Sequence, residues 1–384
     1  MSFRRLVHLV VDDISSRRTY SLRSIDMSSL FRPRRESLGV RPNQLPPMEE
    51  ADNNQEMKPF PLPTPPVPME FMLLGGRHNQ VVATDQTGRA IIYDLGQHAV
   101  RTMHRLAAPK STPVSLTVGD DHLYILDTCP MPGDKDKCFE CFEYDHDGDQ
   151  DWRPRALPPL PYKYYRPQLW ESTDSVDSYA AVGDGDDAAD PHILISKERF
   201  GTYSFDTVAR AWSKAGNWTL PFSGRAEYVP EHGLWFGLRD DPCVFCAADL
   251  GSVLVRRPPV VHDLWEDLAP PPRWMQHLES HLVHLGSAKF CIARFFTTNP
   301  LAPVWPVTQA VFTAVEVERC GNCAGGIRVV KHRSKMYTLL SDMIYWVCSH
   351  DAEMLAYSVD VVGTIATKKK RQPLWLASHA TYHR

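Results

Sequence analysis

No apolar run in this sequence approaches the roughly 18 residues that cross a bilayer as a helix, so a membrane-spanning helix is not expected. The run Leu6–Val11 is interrupted by His8 and stops at Asp12-Asp13, too short for the core of a secretion signal. Charge of one sign is lacking too. The 384 residues carry a net charge of −4, which gives no field for holding a nucleic-acid backbone. Gly-x-Ser-x-Gly, His-Glu-x-x-His, the P-loop and Gly-x-Gly-x-x-Gly are all missing. Without a secretion signal, the nine cysteines are expected as reduced thiols in the cytoplasm or nucleus.

What is present in excess is proline. The 32 prolines stand above the roughly 5% of average usage, and many fall in one stretch, residues 32–68, which ends in Phe60-Pro-Leu-Pro-Thr-Pro-Pro-Val-Pro68. Proline offers no N–H to a ladder and pushes its predecessor out of the helical region, so this stretch is expected as a disordered linker.

Elsewhere one phrase recurs: a short apolar run closing on Asp, a polar turn, then a large apolar residue. Asp94 to Val100, Asp206 to Trp212 and Asp249 to Val255 are six residues apart, and Asp145 to Trp152 is seven. Each phrase follows two further strand-like runs, which predicts meanders of four short strands with Gly-, Asn- and Asp-rich turns. Unit one is Met69–Leu74, Gln80–Asp85, Arg89–Asp94 and Val100–Leu106. Unit two is Pro113–Val118, Leu123–Asp127, Phe139–Asp145 and the strand at Trp152. Unit three is Ser178–Val182, Ile193–Ser196, Thr202–Asp206 and the strand at Trp212. Unit four is Arg225–Val229, Leu234–Leu238, Val244–Asp249 and Val253–Val255. Unit five is His281–Leu285, Lys289–Phe296, Ala310–Val317 and Ile327–Val330. A sixth starts at Lys335–Leu340 and Ile344–Val347, with Met354–Val359 as a third strand, and the N-terminal hairpin resembles a third and fourth strand.

A ring closed by pairing the chain ends removes the open edges a linear array would leave. The expected fold is therefore all-β, a β-propeller of six four-stranded blades in which N-terminal strands pair with C-terminal ones; five or seven blades are the alternatives. Residues 1–31 give the closing hairpin, 32–68 the linker, 69–365 the propeller body and 366–384 a mobile tail.

The phrases Met69-Glu-Phe-Met-Leu-Leu-Gly-Gly-Arg77, Val81-Val-Ala-Thr-Asp-Gln-Thr-Gly-Arg89, Gly201-Thr-Tyr-Ser-Phe-Asp206 and Arg225-Ala-Glu-Tyr-Val-Pro-Glu-His-Gly-Leu-Trp-Phe-Gly237 resemble an uncharacterised plant family, found mainly in cereal grasses and defined by a domain of unknown function. Its repeats are similar to kelch and F-box-associated propellers. The resemblance covers roughly Ser2 to Val347 and implies a propeller used for protein–protein recognition; it brings no catalytic residues. Two features depart from it. No F-box-like helical segment stands at the N-terminus, and residues from Ala366 onward match nothing in the family.

Three cysteine pairs have Cys-x-x-Cys spacing. Cys138/Cys141 and Cys243/Cys246 fall in expected strands, where residues three apart face opposite sides. Cys320-Gly-Asn-Cys323 makes a turn that His332 would have to complete as a metal site, yet no second pair supplies a tetrahedral set. Two reduced thiols without metal are the expectation. The acidic loop Asp145–Asp151 has Gln150 where an EF-hand needs Gly and Ala156 where it needs Glu, so it reads as a solvated turn, as does Gly183–Asp190. His232 reads as a solvated turn histidine, and Asn217-Trp-Thr219 as a glycosylation pattern without a secretory context.

Two loops are rich in the residue types that dominate binding hot spots: Tyr162, Tyr164, Tyr165, Arg166 and Trp170 in one, Trp265 and Trp274 in the other. These are the partner-binding candidates. The basic cluster Lys368, Lys369, Lys370 and Arg371 resembles a nuclear-import signal. The sequence thus predicts a monomeric, non-enzymatic scaffold in the cytoplasm or nucleus that binds a protein, with no cofactor, nucleic acid or membrane. The alternative is an enzyme or small-ligand binder with a polar site over the central channel.

Overall fold

The structure is a computed structural model that describes residues 6–13, 19–31, 48–50, 60–62, 68–74, 80–110, 113–128, 130, 133–148, 150–161, 176–183, 191–239, 244–251, 257–265, 274–298, 308–321, 326–339, 343–348 and 356–358. Among these residues the fold is all-β, with only two single-turn 3-10 helices, Met27–Ser29 and Lys135–Lys137.

The chain opens with β1 (Leu6–Asp13) and β2 (Thr19–Asp26), an antiparallel hairpin, followed by the short strands β3 (Met48–Glu50) and β4 (Phe60–Pro61). Unit one is β5 (Met69–Leu74), β6 (Gln80–Asp85), β7 (Ala90–Asp94) and β8 (Ala99–Met103). Unit two is β9 (Pro113–Val118), β10 (His122–Asp127), β11 (Phe139–Tyr144) and β12 (Trp152–Ala156). Unit three is β13 (Ser178–Val182), β14 (His192–Lys197), β15 (Gly201–Asp206) and β16 (Ala211–Gly216). Unit four is β17 (Ser223–Val229), β18 (Leu234–Arg239), β19 (Val244–Ala248) and β20 (Val261–Trp265). Unit five is β21 (Trp274–Gly286), β22 (Lys289–Thr298), β23 (Thr308–Arg319) and β24 (Ile327–Leu339), and the chain closes with β25 (Met343–Cys348) and β26 (Ala356–Ser358).

Each unit is an antiparallel meander whose strands lie in chain order. Units three and four share one eight-stranded sheet, because β13 and β17 pair in parallel at Ser178↔Gly224 and Tyr179↔Arg225. A further sheet, in the order β26-β25-β1-β2-β4, mixes the two chain ends, with Val10 of β1 opposite Trp346 of β25.

Side chains alternate across a strand, and here both faces are covered. On β5, Phe71 and Leu73 join Val10, Tyr20 and Leu22 of the chain-end sheet, while Met72 and Leu74 join Leu123, Ile125, Phe142 and Trp152 of unit two. On β14, Ile193 and Ile195 pack on unit two with Tyr124 and Phe139, while Leu194 packs on unit four with Trp235 and Cys246. Phe236 and Phe245 of unit four meet Phe290 and Val315 of unit five, and Phe295, Phe312 and Tyr337 of unit five meet Val7, Leu9 and Ile25. Among the described residues, six large apolar cores thus each join two sheets or units. Burial on both faces is why the inner strands read as continuous apolar runs; outer strands such as β8 and β12 are mostly exposed.

The recurring Asp is a turn former. Asp94 Oδ1 accepts from the N–H groups of Gly96 (2.9 Å) and Gln97 (2.8 Å), and Asp206 Oδ1 accepts from Val208 (2.9 Å) and Ala209 (2.7 Å). A left-handed residue then enters the fourth strand: His98 and Arg210 both have φ 53°. The residue before the Asp pairs across the hairpin with the large apolar residue, as Tyr93↔Val100, Tyr144↔Trp152 and Phe205↔Trp212. Replacing Asp206 with Ala is expected to cost about 1 kcal/mol, the net worth of hydrogen bonds at a partly exposed turn. Asn keeps the acceptor, so Asp206→Asn should retain most of that stability in urea unfolding.

Four expectations are corrected. Val253–Val255 lies outside the described residues, and the fourth strand of unit four is Val261–Trp265, paired with β19; local apolarity could not choose between two valine-containing runs. Lys335–Leu340 does not begin a sixth unit: residues up to Leu339 continue β24, which bends at an irregularity opposite Thr313–Val315 and keeps pairing with β23. Met354–Val359 contains β26, which lies on the far side of β25 from β1 rather than in third place. Finally, the stretch 32–68 enters two sheets. Its β3 pairs in parallel with β24, and its β4 pairs with β2. Leu62, 8% exposed, joins the core between the chain-end sheet and unit one. There the Tyr20 carbonyl accepts from Leu62 N–H (2.8 Å) and the Tyr20 hydroxyl accepts from Met69 N–H (2.9 Å).

Candidate functional site

Tyr162, Tyr164, Tyr165, Arg166 and Trp170 lie outside the described residues, as do the acidic turn 184–190 and the basic cluster at Lys368–Arg371. Trp274 opens β21, but its side chain is not described. Trp265 ends β20 at 5% exposure, with the Lys331 ammonium 4.1 Å from its ring centroid. It packs units four and five together and has little surface left to offer a partner.

The three candidate metal ligands, Cys320, Cys323 and His332, are only partly described. Cys320 is disulfide-bonded, which corrects the expectation of a reduced thiol there, and Cys323 lies outside the described residues. No group of three or more His, Cys, Asp and Glu among the described residues is placed to hold a metal. Cys138 and Cys141 are thiols outside any disulfide and are buried in the same core, because Cys138 sits at the bend ahead of β11 rather than in a strand. Burial pushes the Cys141 thiol up, and pushes Cys246 up to about 12 despite the Arg239 charge, so neither is a ready thiolate. Cys243 lies outside the described residues.

His332 belongs to a different constellation, on the outer part of unit five. Its Nε2 lies 3.2 Å from Glu316 Oε2, and the other oxygen of Glu316 takes the Lys289 ammonium. Phe31, which follows the N-terminal hairpin, lies over both: its ring centroid is 5.1 Å from that of His332 and 5.8 Å from Lys289 Nζ. The hairpin register places Lys289 opposite Glu316, and the irregularity in β24 admits His332. Sequence reading missed Lys289 and Glu316; the signal was an opposite-charge pair at matched distances from the β22–β23 connection.

Burial pushes the His332 imidazole below its ordinary 6.5, only partly offset by Glu316; Lys289 lowers it further and Glu318 raises it. A depressed folded value means that the unfolded chain holds a proton the folded chain lacks, from about 6.5 down to that value. Stability contributed here is therefore present above 6.5 and falls as pH drops through this window. In urea midpoints between pH 7.5 and 5, the wild-type chain should lose more stability than His332→Gln. Parallel curves would remove His332 from the acid response.

A polar cleft lies between the first strands of units four and five, lined by Ser223, Gly224, Arg225, Leu238, Ser280, His281 and Leu282. Arg225 Nε stands 3.3 Å from Glu227 Oε1, and both residues are largely buried. The bent start of β17 builds it: Gly224 has φ +77° and its N–H donates to Asp177 O at 2.8 Å. It gathers serine, histidine and guanidinium groups, the guanidinium already facing the Glu227 carboxylate. His232, expected as a solvated turn residue, instead reaches across to unit five, with Nε2 3.2 Å from the Val317 carbonyl.

Among the described residues no helix is long and apolar enough to cross a membrane. A family model described as "Protein of unknown function (DUF1668)" matches residues 4–337. Among solved structures, the chain is similar to a structural-genomics protein of unknown function from Bacteroides thetaiotaomicron VPI-5482. That likeness has 10% sequence identity and a TM-score of 0.38, over 76% of this chain and 70% of that one, too loose to carry fold or function. No curated protein matches the chain.

Proposed function

Because this chain belongs to the DUF1668 family of proteins of unknown function, no activity comes with membership, and we propose a role from its own architecture: a kelch-like, six-bladed β-propeller that serves as a non-enzymatic protein-interaction scaffold. The observation that carries this reading is the cyclic series of six apolar cores, each shared by two successive sheets or units and the last joining the chain ends to unit one. Bonds across the joins brace it: Trp212 Nε1 donates to Pro158 O (2.8 Å), Trp235 Nε1 to Ala181 O (2.7 Å), and Arg319 to Glu231 O (2.8 Å). Such a scaffold holds its inter-unit loops at fixed separations, which is what a recognition surface requires.

In this proposal the protein acts as a monomer in the cytoplasm or nucleus of a cereal-grass cell. It grips a protein partner through the loop carrying Tyr162, Tyr164, Tyr165, Arg166 and Trp170, and uses neither nucleic acid nor membrane. The test is affinity purification with mass spectrometry from native tissue, comparing the wild-type chain with Tyr164→Ala/Tyr165→Ala/Arg166→Ala. Loss of specific partners from the triple variant is expected. Unchanged recovery would remove this loop from the argument.

The cleft at Arg225 and His281 favours a second reading, a small-anion site over the central channel. A thermal-shift screen with small carboxylates and phosphates would support it if a stabilising ligand lost its effect in Arg225→Gln.

A further inference from the structure

Strand β24 is unusual in charge. Its thirteen residues include Arg328, Lys331, Arg333 and Lys335, with no Asp or Glu. Some of that charge is engaged: Arg328 pairs with Glu318 at 2.6 Å, and Lys331 lies over Trp265. One edge of β24 pairs with β23, and the other carries β3 in parallel, with Ser334↔Met48, Lys335↔Glu49 and Met336↔Glu50 in register. The same edge receives a second piece of the N-terminal region, since Arg333 N–H donates to Leu30 O at 3.3 Å.

We propose that the outer edge of β24 is a strand-addition site for an acidic extended peptide, and that Met48–Glu50 is the chain's own placeholder in it. This rests on the interaction-scaffold reading and names the partner chemistry for one of its surfaces. Three observations carry it. The edge is competent for parallel pairing, because it pairs so with β3. Its basic strand meets a segment reading Met48-Glu-Glu-Ala-Asp52, so the charges are complementary. The placeholder is also weak by construction: it is three residues long, parallel pairing is the less stable kind, and Pro46 and Pro47 just ahead of it have no N–H with which to lengthen the ladder. A partner strand without those prolines gains ladder bonds that the placeholder forgoes. Strand addition draws affinity from main-chain bonds and specificity from alternate side chains, here with Lys335 marking an acidic position.

The probe is a fluorescein-labelled peptide of sequence Met48–Asn54, titrated by anisotropy against the full chain and against full-length Glu49→Pro/Glu50→Pro. Successive residues of a parallel strand point their N–H groups to opposite sides, so the double substitution removes a pairing donor. The freed edge should bind the peptide at least tenfold more tightly than wild type, since an intramolecular competitor is gone. Adding Lys335→Glu should weaken that binding, and a peptide with proline at both Glu positions should not bind. If the proline variant fails to fold, Glu49→Lys/Glu50→Lys expels the placeholder by charge alone and gives the same readout. Equal binding by a folded variant and wild type would overturn the proposal. So would undiminished binding of the proline peptide, or competition by heparin as effective as by unlabelled peptide, either of which marks a charge surface rather than a strand site. Peptide failure with native partners still recovered sinks the edge alone; an absence of any specific native partner sinks the scaffold reading.

Discussion

Replacing Glu140 with Leu should cost about 3–5 kcal/mol of stability, and adding Lys110→Met should return most of it. Lys110 lies in the connection between β8 and β9 and Glu140 lies on β11; their side chains are 0% and 1% exposed. Lys110 Nζ contacts Glu140 Oε1 and donates to the carbonyls of Ala108 (3.1 Å) and Lys137 (2.8 Å). Glu140 Oε2 accepts from Ala107 N–H at 3.1 Å. Each charge has left water, and its partner together with the surrounding backbone dipoles offsets that cost. Removing one partner strands the other in an apolar interior, whereas replacing both removes the desolvation penalty along with the attraction. Urea unfolding of the wild type, both single variants and the double variant forms the cycle that isolates the coupling. Single-variant losses below about 1 kcal/mol, the range of exposed pairs, would show that water reaches the site.

The second large effect is expected at Trp152. It is fully buried, opens β12, and is the single buried residue of that strand, whose other four are exposed. Its ring lies 5.2 Å from that of Tyr144, within the core shared by units one and two. Trp152→Ala should cost about 3–5 kcal/mol, because the vacated volume lies between two sheets that collapse only in part. Trp152→Phe should recover much of it. Val100 holds the matching place in unit one yet is 38% exposed, so Val100→Ala is expected to stay within about 0.5 kcal/mol. The contrast separates two things the repeated phrase combines, a hairpin geometry and a core contact. Calorimetry or urea midpoints on the three variants would show it, and equal losses at Trp152 and Val100 would contradict it.

That difference also marks how far the fold was legible. The strands of units one to three follow from alternation and turn chemistry, which are local: Asp94 and Asp206 bond N–H groups two and three residues ahead, so the signal and its structural cause occupy the same short stretch. The fourth strand of unit four is set by pairing with β19 across a connection of twelve residues, from Asp249 to Val260, and composition alone cannot report pairing at that range. The same holds for β3 and β4. Proline-rich flanks argued against any ladder, but a ladder of two or three residues needs only a waiting edge, and β2 and β24 supply one. Cys138 and Cys141 were assigned opposite faces by strand geometry, and one residue of bend ahead of β11 placed both in one core. Of the candidate sites, the sequence singled out His332 but gave it the wrong company: its neighbours Glu316, Lys289 and Phe31 come from two other strands of unit five and from the N-terminal region.

The pairing of β1 with β25 sets a timetable for synthesis. About 330 residues separate these strands, which at 5–20 residues per second is roughly 15–65 s of elongation on the ribosome. Throughout that interval the β1–β2 hairpin has emerged while the strand that completes it does not yet exist. The nascent chain thus carries an apolar strand with an open edge for most of its translation, the kind of surface that chaperones hold and that neighbouring nascent chains join. A stop codon anywhere between units one and five would leave that hairpin permanently without β25 beside it, so truncated products of this chain should be cleared or aggregate rather than persist.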